Sequence, residues 1–171
     1  MQIVEEQLQK ADPVQVVEEL SSSRAKTMLL FTRILIDQVG KEKAKELIRK
    51  ARYDAWYEMG RKAAEALGNP KDIDSYINEY VYKFMSSDKK PYVPPQQLER
   101  VSDKKAIFRT RYCFLAKELL KGRDKETLEV VKAYCCHDIA WANGFNPEMK
   151  FELTKFFLDG DDCCEFTFET E

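Results

Sequence analysis

Apolar residues recur every third or fourth position through the first half of the chain, and strict apolar/polar alternation begins only after a breaker-rich stretch at its middle. Together with a four-residue turn between two alternating runs near the end, this ordering predicts an α+β fold. A helical N-terminal half packs on a small antiparallel sheet that ends in a C-terminal β-hairpin. At 171 residues the chain has the length of one domain. A single domain is therefore expected, with a helical half over 1–86, a loop over 87–98 and a mixed half over 99–171.

The helices are read first. Asp12-Pro13-Val14-Gln15 has a capping side chain, a proline at the first helical position and a Gln three residues after the cap, so a helix starts at Pro13. Beyond Ser21-Ser22-Ser23, Met28, Leu29, Phe31, Leu35, Ile36 and Val39 keep helical spacing up to Gly40, giving a wide apolar face suited to a central helix. The same period runs from Lys41 through Ala44, Ile48, Ala51, Ala55, Met59, Ala63 and Leu67 to the stop Gly68-Asn69-Pro70. A further helix spans about Lys71 to Met85, with Ile73, Ile77, Val81 and Phe84 inward and Tyr76, Tyr80 and Tyr82 around its sides.

After the loop come the strands. Lys105 to Tyr112 alternates, with Ala106, Phe108, Thr110 and Tyr112 on one face and Ile107, Arg109 and Arg111 on the other. Cys113 marks the passage into a helix from Phe114 that stops at Gly122, and a second helix is expected from Lys125 to Ala142. Lys150 to Leu158 and Cys163 to Thr170 flank Asp159-Gly160-Asp161-Asp162, and pairing Leu158 with Cys163 sets Leu153 against Phe168 on an apolar face. In a three-stranded sheet, Arg109 and Arg111 share the other face with Glu152, Glu165 and Glu169, where cross-strand ion pairs compete with a role in gripping a substrate carboxylate.

Composition excludes several function classes. With 28 Lys plus Arg against 30 Asp plus Glu, net charge −2, there is no field to neutralise a nucleic-acid backbone. No run approaches the roughly 18 apolar residues of a membrane span, and the amino terminus has neither a basic nor an apolar leader region. A cytoplasmic protein that meets neither nucleic acid nor membrane is expected, its partner a small-molecule substrate, with self-association left open. In that compartment five cysteines read as core residues, metal ligands or reactive thiols before they read as disulfides.

Four of those cysteines form two adjacent pairs, Cys135-Cys136 before His137-Asp138 and Cys163-Cys164 in the terminal hairpin. A metal site would need several of Cys113, Cys135, Cys136, His137, Cys163 and Cys164 to converge, but C-x-x-C spacing is lacking and adjacent residues point apart. No metal and no cofactor are expected. On a continuous helix the stripe Leu128, Val131, Cys135, Ile139, Ala142 buries Cys135, sets Asp138 at its margin and turns His137 away. A carboxylate sheltered beside a thiol must be paired or working. Asp138 is therefore read either as a working carboxylate or as a structural one that caps nearby backbone or meets an arginine, and Cys164 is the inward member of its pair on the hairpin.

Cys135-x-x-Asp138, Gly144-Phe145-Asn146-Pro147, Thr154-Lys155, Gly160-Asp161-Asp162-Cys163-Cys164-Glu165-Phe166 and the strand-end Arg111-Tyr112-Cys113-Phe114-Leu115-Ala116 resemble the L-2-amino-thiazoline-4-carboxylic acid hydrolase family over about Val101 to Phe168. The resemblance implies hydrolytic opening of a cyclic amidine, with Asp138 as candidate base and Cys135 as alternative nucleophile, Arg111 or Arg109 supplying a cation or holding the ring carboxylate, and Cys113 and Cys164 around the substrate. A more distant likeness, to the small-molecule-sensing vinyl reductase 4 domains, implies a non-catalytic binding module instead.

Overall fold

The computed structural model describes residues 12–85, 96–111, 113–121 and 124–171. The expected continuation of the first strand to Tyr112, the stop at Gly122 and most of the central loop lie outside the described residues, as does the inward direction expected for the Phe84 side chain.

Helix α1, Pro13–Val39, runs through the three serines without a break. Serine is only mildly unfavourable inside a helix, so the triplet does not divide it. Its buried face is Ala25, Leu29 and Thr32, whose hydroxyl bonds back to the Met28 carbonyl at 2.7 Å, while Phe31, Val39, Leu30 and Ile34 are exposed. The expected central position thus does not hold: α1 is an outer helix. Gly40, at φ 78°, breaks the chain before α2, Lys41–Ala66.

Asp72 caps α3, Ile73–Tyr76, by accepting from the Ser75 amide at 2.7 Å, and the helix continues as a π-helical segment over Ile77–Met85. Widening the coil brings Tyr76 and Tyr80 inward with Ile73, Ile77 and Val81. Those two tyrosines are core residues and only Tyr82 lies outside, a correction to their expected place on the helix flanks.

The sheet has four strands, not three, in the order β1 (Gln96–Ser102), β2 (Lys105–Thr110), β4 (Cys164–Glu169), β3 (Lys150–Lys155), all antiparallel. β1 escapes a reading by alternation because it is a polar edge strand, hydrogen-bonded on one side. The hairpin register also differs from expectation by two residues, with Leu153 opposite Phe166 and Phe151 opposite Phe168. Phe157–Asp159 coil into a 3₁₀ turn that takes the place of the strand's last residues. A two-residue shift preserves the faces, so the inner side still carries Ala106, Phe108, Phe166 and Phe168.

The expected helix from Lys125 to Ala142 is three pieces: α5 (Lys125–Val131), a 3₁₀ turn (Lys132–Cys136) and α6 (His137–Phe145); α4, Phe114–Leu120, precedes them. α6 buries Asp138, Ala140, Trp141, Ala142, Gly144 and Phe145, so it is covered nearly all round and forms the centre of the molecule. It crosses α2 at backbone distance. A Cβ on Gly60 would stand 2.1 Å from the Trp141 carbonyl oxygen, and one on Gly144 would stand 2.0 Å from that of Tyr57.

Three apolar clusters result, two larger ones and a small one of Ala44, Ile48, Val130 and Ala133. Of the larger two, one joins Tyr76, Tyr80, Trp141 and Phe145 to the inner face of the sheet, and the other joins Ala25 and Leu29 of α1 to Ala116, Leu119, Val131 and Leu158. Cys164 packs on the first cluster and Cys113 and Cys135 on the second, so the cysteine-bearing segments meet at the seam between them.

Candidate functional site

At that seam lie two adjoining cavities that share Cys135, Asp138, Leu153, Phe156 and Phe166 as walls. The larger, about 210 Å³, is rimmed by Arg49 and Lys132; the smaller, about 100 Å³, adds Cys113, His137 and Cys164. Space of this size suits a single small ring better than the ~300–1,000 Å³ pockets of drug-sized ligands.

Asp138 is 6% exposed and bounds both cavities. Its carboxylate is held from two sides. The buried Tyr80 hydroxyl donates to Oδ1, and His137 Nε2 lies 3.3 Å from Oδ2. The negative charge of Asp138 and, before it, burial push the Tyr80 phenol well above its ordinary value, so it stays a donor. Tyr76, stacked obliquely on Tyr80 with ring centroids 5.5 Å apart, places a buried hydroxyl in the same field without a hydrogen-bond partner among the described residues.

His137 faces the smaller cavity, contrary to the outward direction expected from a continuous helix. The 3₁₀ turn accounts for the difference. Five residues at three per turn rotate everything after them by about 100° relative to an α-helix. The ring packs on Trp56 with centroids 4.9 Å apart, and Nδ1 lies 3.4 Å from the Tyr134 carbonyl.

The cations come from α2 rather than from the sheet. Arg49, Arg52, Trp56 and Gly60 follow one another at three- and four-residue intervals and so form one stripe toward α6. Arg52 donates to the Tyr134 carbonyl at 3.3 Å and lies over the Trp56 ring at 4.8 Å. Burial lowers its ordinarily very high pKa, and its charge reaches Cys135, Cys136 and Asp138. Arg109, by contrast, is on the outer face of the sheet, bound to Glu165 at 2.5 Å and Glu99 at 2.8 Å, and Arg111 is exposed; neither lines either of these two cavities. Of the two readings of the strand arginines, cross-strand ion pairing is the one Arg109 follows, because parity sends it to the acidic outer face.

The thiols are shielded. Burial drives Cys135 well above its ordinary value, aided by the nearby Cys113 and Asp138, and lifts Cys164 to about 12. Cys113 caps α4 by accepting from the Ala116 amide at 3.4 Å, and Cys164 accepts from the Phe157 amide at 3.5 Å. Cys136 turns to the Arg49 carbonyl at 3.6 Å, and Cys163 is buried. Among the described residues the cysteines are free, and no three His, Cys, Asp or Glu side chains are gathered to hold a metal ion. Nor is any helix among them long and apolar enough to cross a membrane.

Comparison with known proteins covers most of the chain. The family model described as L-2-amino-thiazoline-4-carboxylic acid hydrolase matches residues 21–168, so the likeness extends well beyond the C-terminal segments that carry visible motifs. No curated protein matches in sequence. Among solved structures, a trafficking protein particle complex subunit 3 from Naegleria fowleri, covalently bound to palmitic acid, superposes with a TM-score of 0.54 at 13% identity, covering 92% of this chain and 96% of that one. At that identity the likeness is one of fold.

Proposed function

The chain belongs to the L-2-amino-thiazoline-4-carboxylic acid hydrolase family, and from that membership and the surroundings of Asp138 we propose that it hydrolyses a small cyclic amidine, 2-amino-thiazoline-4-carboxylate or a near relative. One observation carries the reading: a buried carboxylate, gripped by a tyrosine and flanked by a histidine, borders a ring-sized cavity with arginine at its rim.

In the proposed step the Asp138–His137 pair takes a proton from water as its oxygen bonds to the ring carbon between nitrogen and sulfur. The carbon–sulfur bond then breaks, the proton passes to the departing sulfur, and the product is an open-chain urea bearing a thiol. Tyr80 keeps Oδ1 of Asp138 oriented. Cys135 serves as wall rather than nucleophile, because a thiol pushed up by burial offers little thiolate. Cys113 and Cys164 line the same space and keep it apolar.

The test is release of a thiol product from 2-amino-thiazoline-4-carboxylate. Wild-type protein should turn it over, and Asp138→Asn, which keeps the shape of the side chain, should lower kcat by about 10²–10⁴. Failure of the wild-type protein to open the ring, under conditions where it is folded, refutes the hydrolase reading.

A second reading, a non-catalytic binding domain of the vinyl reductase 4 type, draws support from the smaller cavity, whose walls are mostly Cys, Leu and Phe. The palmitic acid bound covalently to the structurally similar trafficking subunit is an apolar ligand of the kind such walls would suit. Ligand binding without ring opening, unaltered in Asp138→Asn, would favour it.

A further inference from the structure

We propose that Arg49 is the specificity residue of the site, gripping the carboxylate of a small ring whose cationic, nitrogen-bearing end faces Asp138. The substrate named rests on the hydrolase reading above; the role of Arg49 is carried by the geometry of the larger cavity.

That cavity has two cationic side chains at its rim, Arg49 and Lys132. Lys132 is already neutralised, bonded to Glu129 and held 2.6 Å from Asp159. Arg52, one turn along α2, is tied to the Tyr134 carbonyl and the Trp56 ring and lines a different groove, between α1 and α2. Arg109 is spent on Glu99 and Glu165. Among the described residues Arg49 has no carboxylate at ion-pair distance, which leaves its guanidinium fork available to a ligand. The backbone beneath it is anchored, since its carbonyl accepts from Cys136 in the 3₁₀ turn.

The wall shared with Arg49 contains one buried anion, Asp138, and an apolar side of Phe151, Leu153, Phe156 and Phe166. A ligand carboxylate is repelled by Asp138 and drawn to Arg49, while a protonated amidine is drawn the opposite way. The two charges therefore select both the class of ligand, a small amphoteric ring, and its orientation. Arg109 cannot substitute, because it stands on the outer face of the sheet in ion pairs with Glu99 and Glu165.

Thiazolidine-4-carboxylate, which lacks the amidine carbon, serves as a non-reacting probe in calorimetry, beside turnover of 2-amino-thiazoline-4-carboxylate and of 2-amino-thiazoline without the carboxylate. Arg49→Gln should weaken thiazolidine-4-carboxylate by about 10–100-fold, the range for a charge-assisted pair. It should also raise KM for the carboxylated substrate with kcat largely kept, and abolish its advantage over 2-amino-thiazoline. Arg49→Lys should recover part of the loss, and Arg109→Gln none of these effects. Equal binding by wild-type and Arg49→Gln, or no binding by the wild-type protein, overturns the proposal. Arg49-dependent binding without any turnover upholds it while the hydrolase reading falls.

Discussion

Tyr80 is the residue on which the buried charge of Asp138 depends most directly. Burying a carboxylate is costly unless donors replace lost water, and Tyr80 supplies one such donor from the π-helical segment. Tyr80→Phe leaves that lone pair unmet and should destabilise the fold by about 1–3 kcal/mol in urea unfolding. It should also shift the pH–rate profile, a change that a purely structural tyrosine would not cause. Asp138 itself, which is buried, is legible in sequence, because it falls one turn from Cys135 at the margin of the apolar stripe. Arg49 is not, since Arg49 and Lys50 sit in a stretch of alternating charges that reads like any solvated helix face. His137 is misplaced by the same periodicity that finds Asp138, for local sequence carries no plain mark of a 3₁₀ turn.

At the scale of elements, the crossing of α2 and α6 sets the site. Two glycines allow the backbones to touch, and the same stripe of α2 then delivers Arg49, Arg52 and Trp56 to His137 and Asp138. Asn143 reinforces the contact by donating to the Tyr53 hydroxyl at 2.8 Å. Gly144→Ala forces the helices apart and should cost about 1–3 kcal/mol, as overpacking generally does. The chain has two tryptophans, Trp56 and Trp141, one on each helix of this pair. Their fluorescence should therefore change in Gly144→Ala before unfolding begins, and an unchanged spectrum with unchanged stability would contradict the close crossing. β1 was hidden in sequence for a different reason: an edge strand with polar residues on both faces has no alternation to detect.

For the molecule as a whole, the shielded thiols make stability depend on alkaline pH. Cys113, Cys135 and Cys164 all ionise at higher pH when folded than when unfolded, principally because burial disfavours the thiolate. A raised folded value means that the native state keeps protons the unfolded chain has released. The contribution is complete below about pH 9, the unfolded thiol value, and is lost as pH climbs toward about 12. Tm should accordingly fall between pH 9 and 11 more steeply than in Cys164→Ser, whose hydroxyl does not titrate there. Reaction with a disulfide reagent at pH 8 should be slow for the native protein and fast in denaturant. Rapid native reaction of all five thiols would place the cavity walls in solvent.

By itself the sequence determined the class of fold, the inward faces of the sheet, the terminal hairpin and the closeness of a thiol to a carboxylate, because periodicity of 3.6 or 2 encodes which side chains leave water. Beyond the adjacent His137, the surroundings of that carboxylate were decided by tertiary structure. Tyr80, Arg49 and Trp56 are separated from Asp138 by more than fifty residues of chain, and only a glycine-to-backbone helix crossing and a tightened turn bring them to one hollow. Local patterns report burial; they hold no record of which distant helix face will arrive to cover it.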